Sequence, residues 1–126
     1  ALPIRQFKKN DNRWYERAVS ISNNDELHFT YEPSNFNIEL NTLYNDVPNG
    51  VIVERSDIAT NILSDLSEKM QRNGGVSLFI DYGYENGFGD TLQALNEHSF
   101  SDPLANLGET DLTSHVNFRN IFNFKV

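Results

Sequence analysis

With 126 residues, 38% of them hydrophobic, and with nine Phe, five Tyr and one Trp, the chain is sized for one modest domain or part of one. The absence of cysteine excludes disulfides and thiolate metal sites and fits a reducing compartment such as the cytoplasm; no apolar run is long enough to cross a bilayer, and no leader pattern opens the chain at Ala1. The net charge of −8 is uneven, with five basic and two acidic side chains in residues 1–17 against five basic and sixteen acidic in residues 18–126, which argues against nucleic acid as a partner.

Leu2 to Lys8 and Arg13 to Ser22 read as extended segments, with Asn10-Asp11-Asn12 as the turn between them. Asn23-Asn24-Asp25 makes another turn, after which Leu27, Phe29 and Tyr31 alternate with polar residues until Pro33, giving a three-stranded meander. Residues 33–50, rich in Asn and carrying Pro33, Pro48 and Gly50, have weak periodicity and read as a long connection, with Val51 to Glu54 a short extended stretch at its end.

Asp57 to Arg72 is the strongest helix, with Ser56 as N-cap and Ile58, Ile62, Leu66 and Met70 spaced four apart on one face. Asn73-Gly74-Gly75 stops it, and Val76 to Ile80 follows as an apolar strand, which suggests a covered, parallel sheet. Asn117 caps a second helix in which Phe118, Ile121, Phe122 and Lys125 fall at helical spacing. The chain divides into a β meander with its connection, 1–54, and a helix-strand-loop part, 55–126. The 17 Asn residues form no tract, and no internal repeat is visible.

From Asn73 to Phe118 there is no Lys or Arg, while Asp81, Glu85, Asp90, Glu97, Asp102, Glu109 and Asp111 supply seven carboxylates. Such a surface is either a solvated acidic face or a site for a basic peptide. Asp81 ends an apolar strand, where open α/β sheets bind ligands, and it is also suited to capping the glycine-rich loop that follows. Tyr82, Tyr84 and Phe88 flank Gly83, Gly87 and Gly89 in that loop. His98 and His115 can accept a proton near neutral pH, with a structural hydrogen bond as the alternative for each. The histidines are too far apart in sequence for a metal motif, so no metal is expected. Thr91, Thr113 and Ser114 offer hydroxyls without the spacing of a hydrolase, and capping is their default.

Ile80-Asp81-Tyr82-Gly83, Asp90-Thr91-Leu92, His98, Asp102-Pro103-Leu104, Gly108, Asp111-Leu112-Thr113 and Val116-Asn117-Phe118 together resemble the MidA-like S-adenosylmethionine-dependent methyltransferases. The mitochondrial members of that family are complex I assembly factors that methylate a protein arginine. Ala1-Leu2-Pro3-Ile4-Arg5-Gln6-Phe7 resembles the segment after the family's fourth core strand, so the likeness covers most of the chain. Asp57 stands where a proline is frequent and Asn117 where an aspartate is usual.

The resemblance implies an α/β fold: the C-terminal portion of a Rossmann-like class I methyltransferase, an incomplete domain whose glycine-rich cofactor turn lies upstream. It implies S-adenosyl-L-methionine in the complete enzyme, none bound by this chain alone, and Leu2 and Pro3 as one wall of the cofactor site. The acceptor is then an arginine of a basic protein, held by Asp81, Tyr82, Asp102 and Asp111, with Asp81, His98 and His115 as catalytic candidates. A carboxylate at Asp81 would grip a planar guanidinium through paired hydrogen bonds. A separate N-terminal half is the expected partner, and the mitochondrial matrix the location of a eukaryotic member. Two other readings use the same residues: an inactive remnant of a split or truncated gene, and an acidic module that binds a basic peptide without chemistry.

Overall fold

The structure, a computed structural model, describes residues 2–85 and 87–122. Strands β1 (Arg5–Asn10), β2 (Arg13–Ile21) and β3 (Leu27–Pro33) form the expected antiparallel meander. Asp11 and Asn12 take φ of 47° and 60°, the left-handed geometry of a two-residue hairpin that short polar side chains tolerate. At the next turn the Ser22 hydroxyl accepts from the backbone N–H groups of Asn24 and Glu26.

The connection read over residues 33–50 contains a helix, α1 (Asn37–Leu43). Phe36, Leu40 and Tyr44 lie four apart, so one short helical face meets the sheet, and burial outweighs the Asn-rich composition. Trp14, fully buried, donates its indole N–H to Asn41 Oδ1 and its backbone N–H to Asn37 Oδ1. Phe7, Trp14, Leu40, Tyr44 and Val53 form the core, with the Trp14 and Tyr44 rings 6.1 Å apart. Lys9 is buried beside Trp14 and donates to the carbonyls of Asn45 and Val47, closing the segment after α1 over the core. Then β4 (Ile52–Arg55) returns antiparallel to β1, giving the order β3-β2-β1-β4.

Helix α2 (Asp57–Asn73) forms where its apolar spacing predicts, with the Ser56 hydroxyl accepting from the Ala59 N–H. It buries no residue fully, and Ile58 and Ile62 stay about half exposed. The strand expected over Val76 to Ile80 is a correction: it joins no ladder among the described residues, and Val76 and Ile80 are 97% and 88% exposed. An apolar run becomes a covered strand only where neighbouring strands accept its backbone groups, and no described strand does so.

The remaining residues make two small sheets that the sequence pattern did not suggest. β5 (Gly83–Tyr84) is paired in parallel with the later β9 (Val116–Asn117), while β6 (Gln93–Asn96), β7 (Ser99–Ser101) and β8 (Asp111–Thr113) pair in the order β7-β6-β8. Helix α3 (Phe118–Phe122) follows, and Asn117 Oδ1 caps it by accepting from the Asn120 N–H; Lys125 lies outside the described residues. Gly83 has no room for a side chain: a Cβ there would run into the Val116 carbonyl and lie 2.6 Å from Cε2 of Phe118. Among the described residues no helix is long and apolar enough to cross a membrane.

Two substitutions test this account. Trp14→Ala should cost about 3–5 kcal/mol, the usual range for emptying an aromatic site, read as a lowered urea midpoint. Gly83→Ala should destabilise by about 1–3 kcal/mol, because the obstruction is backbone that cannot rotate away; an unchanged midpoint would remove the β5–β9 crossing from the fold.

Candidate functional site

Strand alternation divides β1 into two faces. Phe7 and Lys9 point to the core under α1, so Gln6 must point the other way. The antiparallel register sets Gln6 opposite Glu54 of β4 and Arg17 of β2 opposite Tyr31 of β3. Arg17 Nη1 donates to Gln6 Oε1 over 2.8 Å, so Glu54, Gln6, Arg17 and Tyr31 form one polar row across the four strands.

The loop before β6 closes on this row. Asp90 takes Arg17 in a two-pronged contact, Nη1 to Oδ1 at 2.9 Å and Nη2 to Oδ2 at 2.8 Å, and its Oδ1 also accepts from Gln6 Nε2 at 2.7 Å. Glu54, only 2% exposed, accepts from Gln6 Nε2, from the Thr91 backbone N–H and from the Thr91 hydroxyl at 2.7, 2.8 and 2.6 Å. Gly89 bridges to Ile52 and approaches so closely that a Cβ would lie 2.6 Å from the Glu54 Cδ.

Beside this row an open depression of about 440 Å³ lies between the sheet and the acidic segment. Leu2, Pro3 and Ile4 line it together with Leu92, Leu112, Thr113 and Ser114, and the sheet contributes Phe29 and, from the row, Gln6 and Arg17. The Ser56 hydroxyl donates to the Pro3 carbonyl, tying the Leu2–Ile4 segment to the start of α2. Leu2 and Pro3, expected to wall a cofactor site, thus meet the stretch between Asp111 and His115.

Asp81, Tyr82, His98, Asp102, Asp111 and His115 do not line this depression. Asp81 is exposed and its Oδ1 accepts from the Tyr82 N–H, the loop-capping contact; the Tyr82 carbonyl accepts from the Val116 N–H and its ring is exposed. His98 sits at the exposed tip of the β6–β7 hairpin with φ of 63°. Asp102 is exposed and caps its own turn through the Leu104 N–H, and Asp111 opens β8 opposite Leu95. The His115 imidazole belongs to an exposed residue whose backbone N–H donates to the Thr91 hydroxyl at 3.0 Å. Glu54, Gln6 and Arg17 were not singled out from sequence. The available signal was a carboxylate closing the apolar run Val51-Ile52-Val53.

Arg17 Nε and the Tyr84 hydroxyl are buried side-chain atoms with no hydrogen-bond partner among the described residues. Burial pushes the Tyr84 phenol well above its ordinary value, and the nearby charge of Glu54 adds to this. Glu54 and Asn117 lie near the hydroxyl, yet neither meets it in hydrogen-bonding geometry. Tyr84→Phe should therefore raise stability at pH 7 by about 1–3 kcal/mol, because it removes a buried hydroxyl whose desolvation no partner offsets. Because the folded value is raised, the wild-type protein should lose stability as pH climbs above the unfolded tyrosine value of about 10. Urea midpoints should fall less steeply there in Tyr84→Phe, and parallel profiles would show that Tyr84 does not titrate differently on folding.

Residues 1–125 match the family described as "Putative S-adenosyl-L-methionine-dependent methyltransferase". The chain is 31% identical over 124 residues to the mitochondrial protein arginine methyltransferase NDUFAF7 homolog of Drosophila melanogaster, covering 94% of this chain and 28% of that protein. It is 31% identical over 119 residues to the human protein arginine methyltransferase NDUFAF7, covering 93% and 26%. Two crystal structures of one superfamily from Burkholderia thailandensis share 26% identity: one, with a TM-score of 0.78, covers 95% of this chain and 34% of its own, and the other, with bound S-adenosyl-homocysteine and a TM-score of 0.73, covers 96% and 33%. The chain spans between a quarter and about a third of the length of these relatives. Matched along nearly all its length and alike in backbone, this α/β chain belongs to the S-adenosyl-L-methionine-dependent methyltransferase family.

Proposed function

We propose that this chain is the C-terminal part of a methyltransferase that modifies a protein arginine, with residues 1–54 and 55–126 as two parts of one incomplete Rossmann-like domain. The observation that carries the reading is the meeting of Leu2 and Pro3 with Leu112 to Ser114 around one depression, in a chain that matches arginine methyltransferases along 93–94% of its length. The exposed apolar run Val76 to Ile80 and the half-exposed stripe of α2 support the fold: they suit a sheet and layer completed by an N-terminal half. The compartment would follow the lineage, cytoplasm in a bacterium and mitochondrial matrix in a eukaryote.

The residues present fit one wall of a cofactor site. Among the described residues no strand runs into a glycine-rich turn that opens a helix, and Leu2 and Pro3 offer apolar surface. When bound, the cofactor supplies an electrophilic methyl group. Leu2 and Pro3 would exclude water from that wall. Asp81, Asp102 and Asp111 are exposed and form no ion pair among the described residues, so they are available to a guanidinium. Tyr82 offers an exposed ring beside it, and a neutral imidazole of His98 or His115 would take the nitrogen's proton.

The chain by itself is expected to give no saturable calorimetric titration with S-adenosyl-homocysteine. A chimera in which residues 1–126 replace the matched third of the S-adenosyl-homocysteine-bound Burkholderia protein should bind it and transfer labelled methyl to arginine of a basic protein acceptor. In that chimera Asp81→Asn should slow transfer roughly tenfold to hundredfold, the loss expected for one hydrogen bond to a charged group, with cofactor affinity kept. A lowered melting temperature with normal transfer per folded molecule would leave Asp81 only its loop contact. A folded chimera that binds the basic protein without methylating it would favour an acidic binding module.

A further inference from the structure

The buried Glu54 carboxylate accepts three hydrogen bonds, and each of its partners leads to a wall of the depression. Gln6, on its Oε1 side, follows Leu2 to Ile4 in β1 and its approach; Thr91, bound through both N–H and hydroxyl to the two carboxylate oxygens, precedes Leu92. A carboxylate accepts only, so the Thr91 hydroxyl must point its proton at Glu54 Oε2 and turn a lone pair outward. That lone pair accepts from the His115 N–H, which fastens the end of the Leu112 to Ser114 stretch. The Glu54 carbonyl meanwhile accepts from Asn120 Nδ2 at 3.2 Å, holding the start of α3 to the same residue. Segments 48, 37 and 66 residues away in sequence are thereby tied to one buried position.

The geometry points to Glu54 as a positioning residue that, through Gln6 and Thr91, sets the spacing between the Leu2–Ile4 wall and the Leu92 and Leu112–Ser114 wall. The part this spacing plays in a cofactor site rests on the methyltransferase reading, while the linkage itself does not. Gly89 fits the same arrangement, because a side chain there would displace the Glu54 carboxyl from its donors. Aspartate, one methylene shorter, would not span from β4 to the Thr91 amide and hydroxyl together.

The test is amide hydrogen exchange on the full chain, resolved by residue. In Glu54→Gln an NH₂ replaces an accepting oxygen, and the Thr91 and His115 amides should exchange roughly tenfold to hundredfold faster while β2–β3 ladder amides keep their wild-type rates. Thr91→Val, which keeps shape but removes the hydroxyl, should release His115 and leave the Thr91 amide protected; Thr91→Ser should restore His115. If Glu54→Gln does not fold, the Thr91 pair decides alone. An unchanged His115 rate in Thr91→Val, no recovery in Thr91→Ser, or acceleration spread evenly over the meander in Glu54→Gln would each overturn the proposal. A chimera that binds no S-adenosyl-homocysteine while these rates behave as expected would remove the cofactor role of the depression and leave the linkage standing.

Discussion

A buried carboxylate has to be satisfied, and in this chain the obligation falls on Glu54. An unpaired charge in such a position costs several kcal/mol, so the loop carrying Thr91 must close over β4, an outer strand of the sheet, for Glu54 to stay buried. The hydrogen bonds come from Gln6 within the sheet and from Thr91 outside it, which makes the second layer a condition of burying the first. Asp90 extends the same logic to Arg17, although that pair is partly exposed and solvent screening weakens it.

The four-stranded sheet therefore performs two tasks with its two faces. One face is sealed by the short helix α1, whose Leu40 completes a core around Trp14 and Phe7. The other carries the polar row and holds the loops that surround the depression. Hydrophobic burial gives the first face its stability without much demand on direction. Hydrogen bonds fix the second face in direction and distance, which is what a binding wall needs.

Further along the chain the balance shifts. α2, the run from Val76 to Ile80 and the acidic hairpin region bury little, and their apolar side chains remain in contact with solvent. That surface lies on elements whose patterns call for further layers. Family membership gives this a physical context, since the relatives of known structure are about three times as long as the matched region.

The meander, α2 and the cap at Asn117 were legible in the sequence because each is a local matter: alternation over a few residues, a four-residue spacing, a polar side chain beside free N–H groups. The family was legible too, because its motif residues cluster between Ile80 and Phe118. α1 escaped notice because its three apolar anchors stand among asparagines, and only contact with Trp14 makes that face worth forming. The ladder expected for Val76 to Ile80 shows the opposite error, where an apolar pattern states a preference and strands elsewhere decide whether it is met. Asp81, Asp102 and Asp111 could be named from composition and turn position, but whether they converge is a question of distance. Glu54 could not be found that way at all: its role depends on Gln6, Thr91 and Asn120 arriving from remote parts of the chain. Local physics wrote the elements into the sequence, and long-range packing alone chose which polar residue they close around.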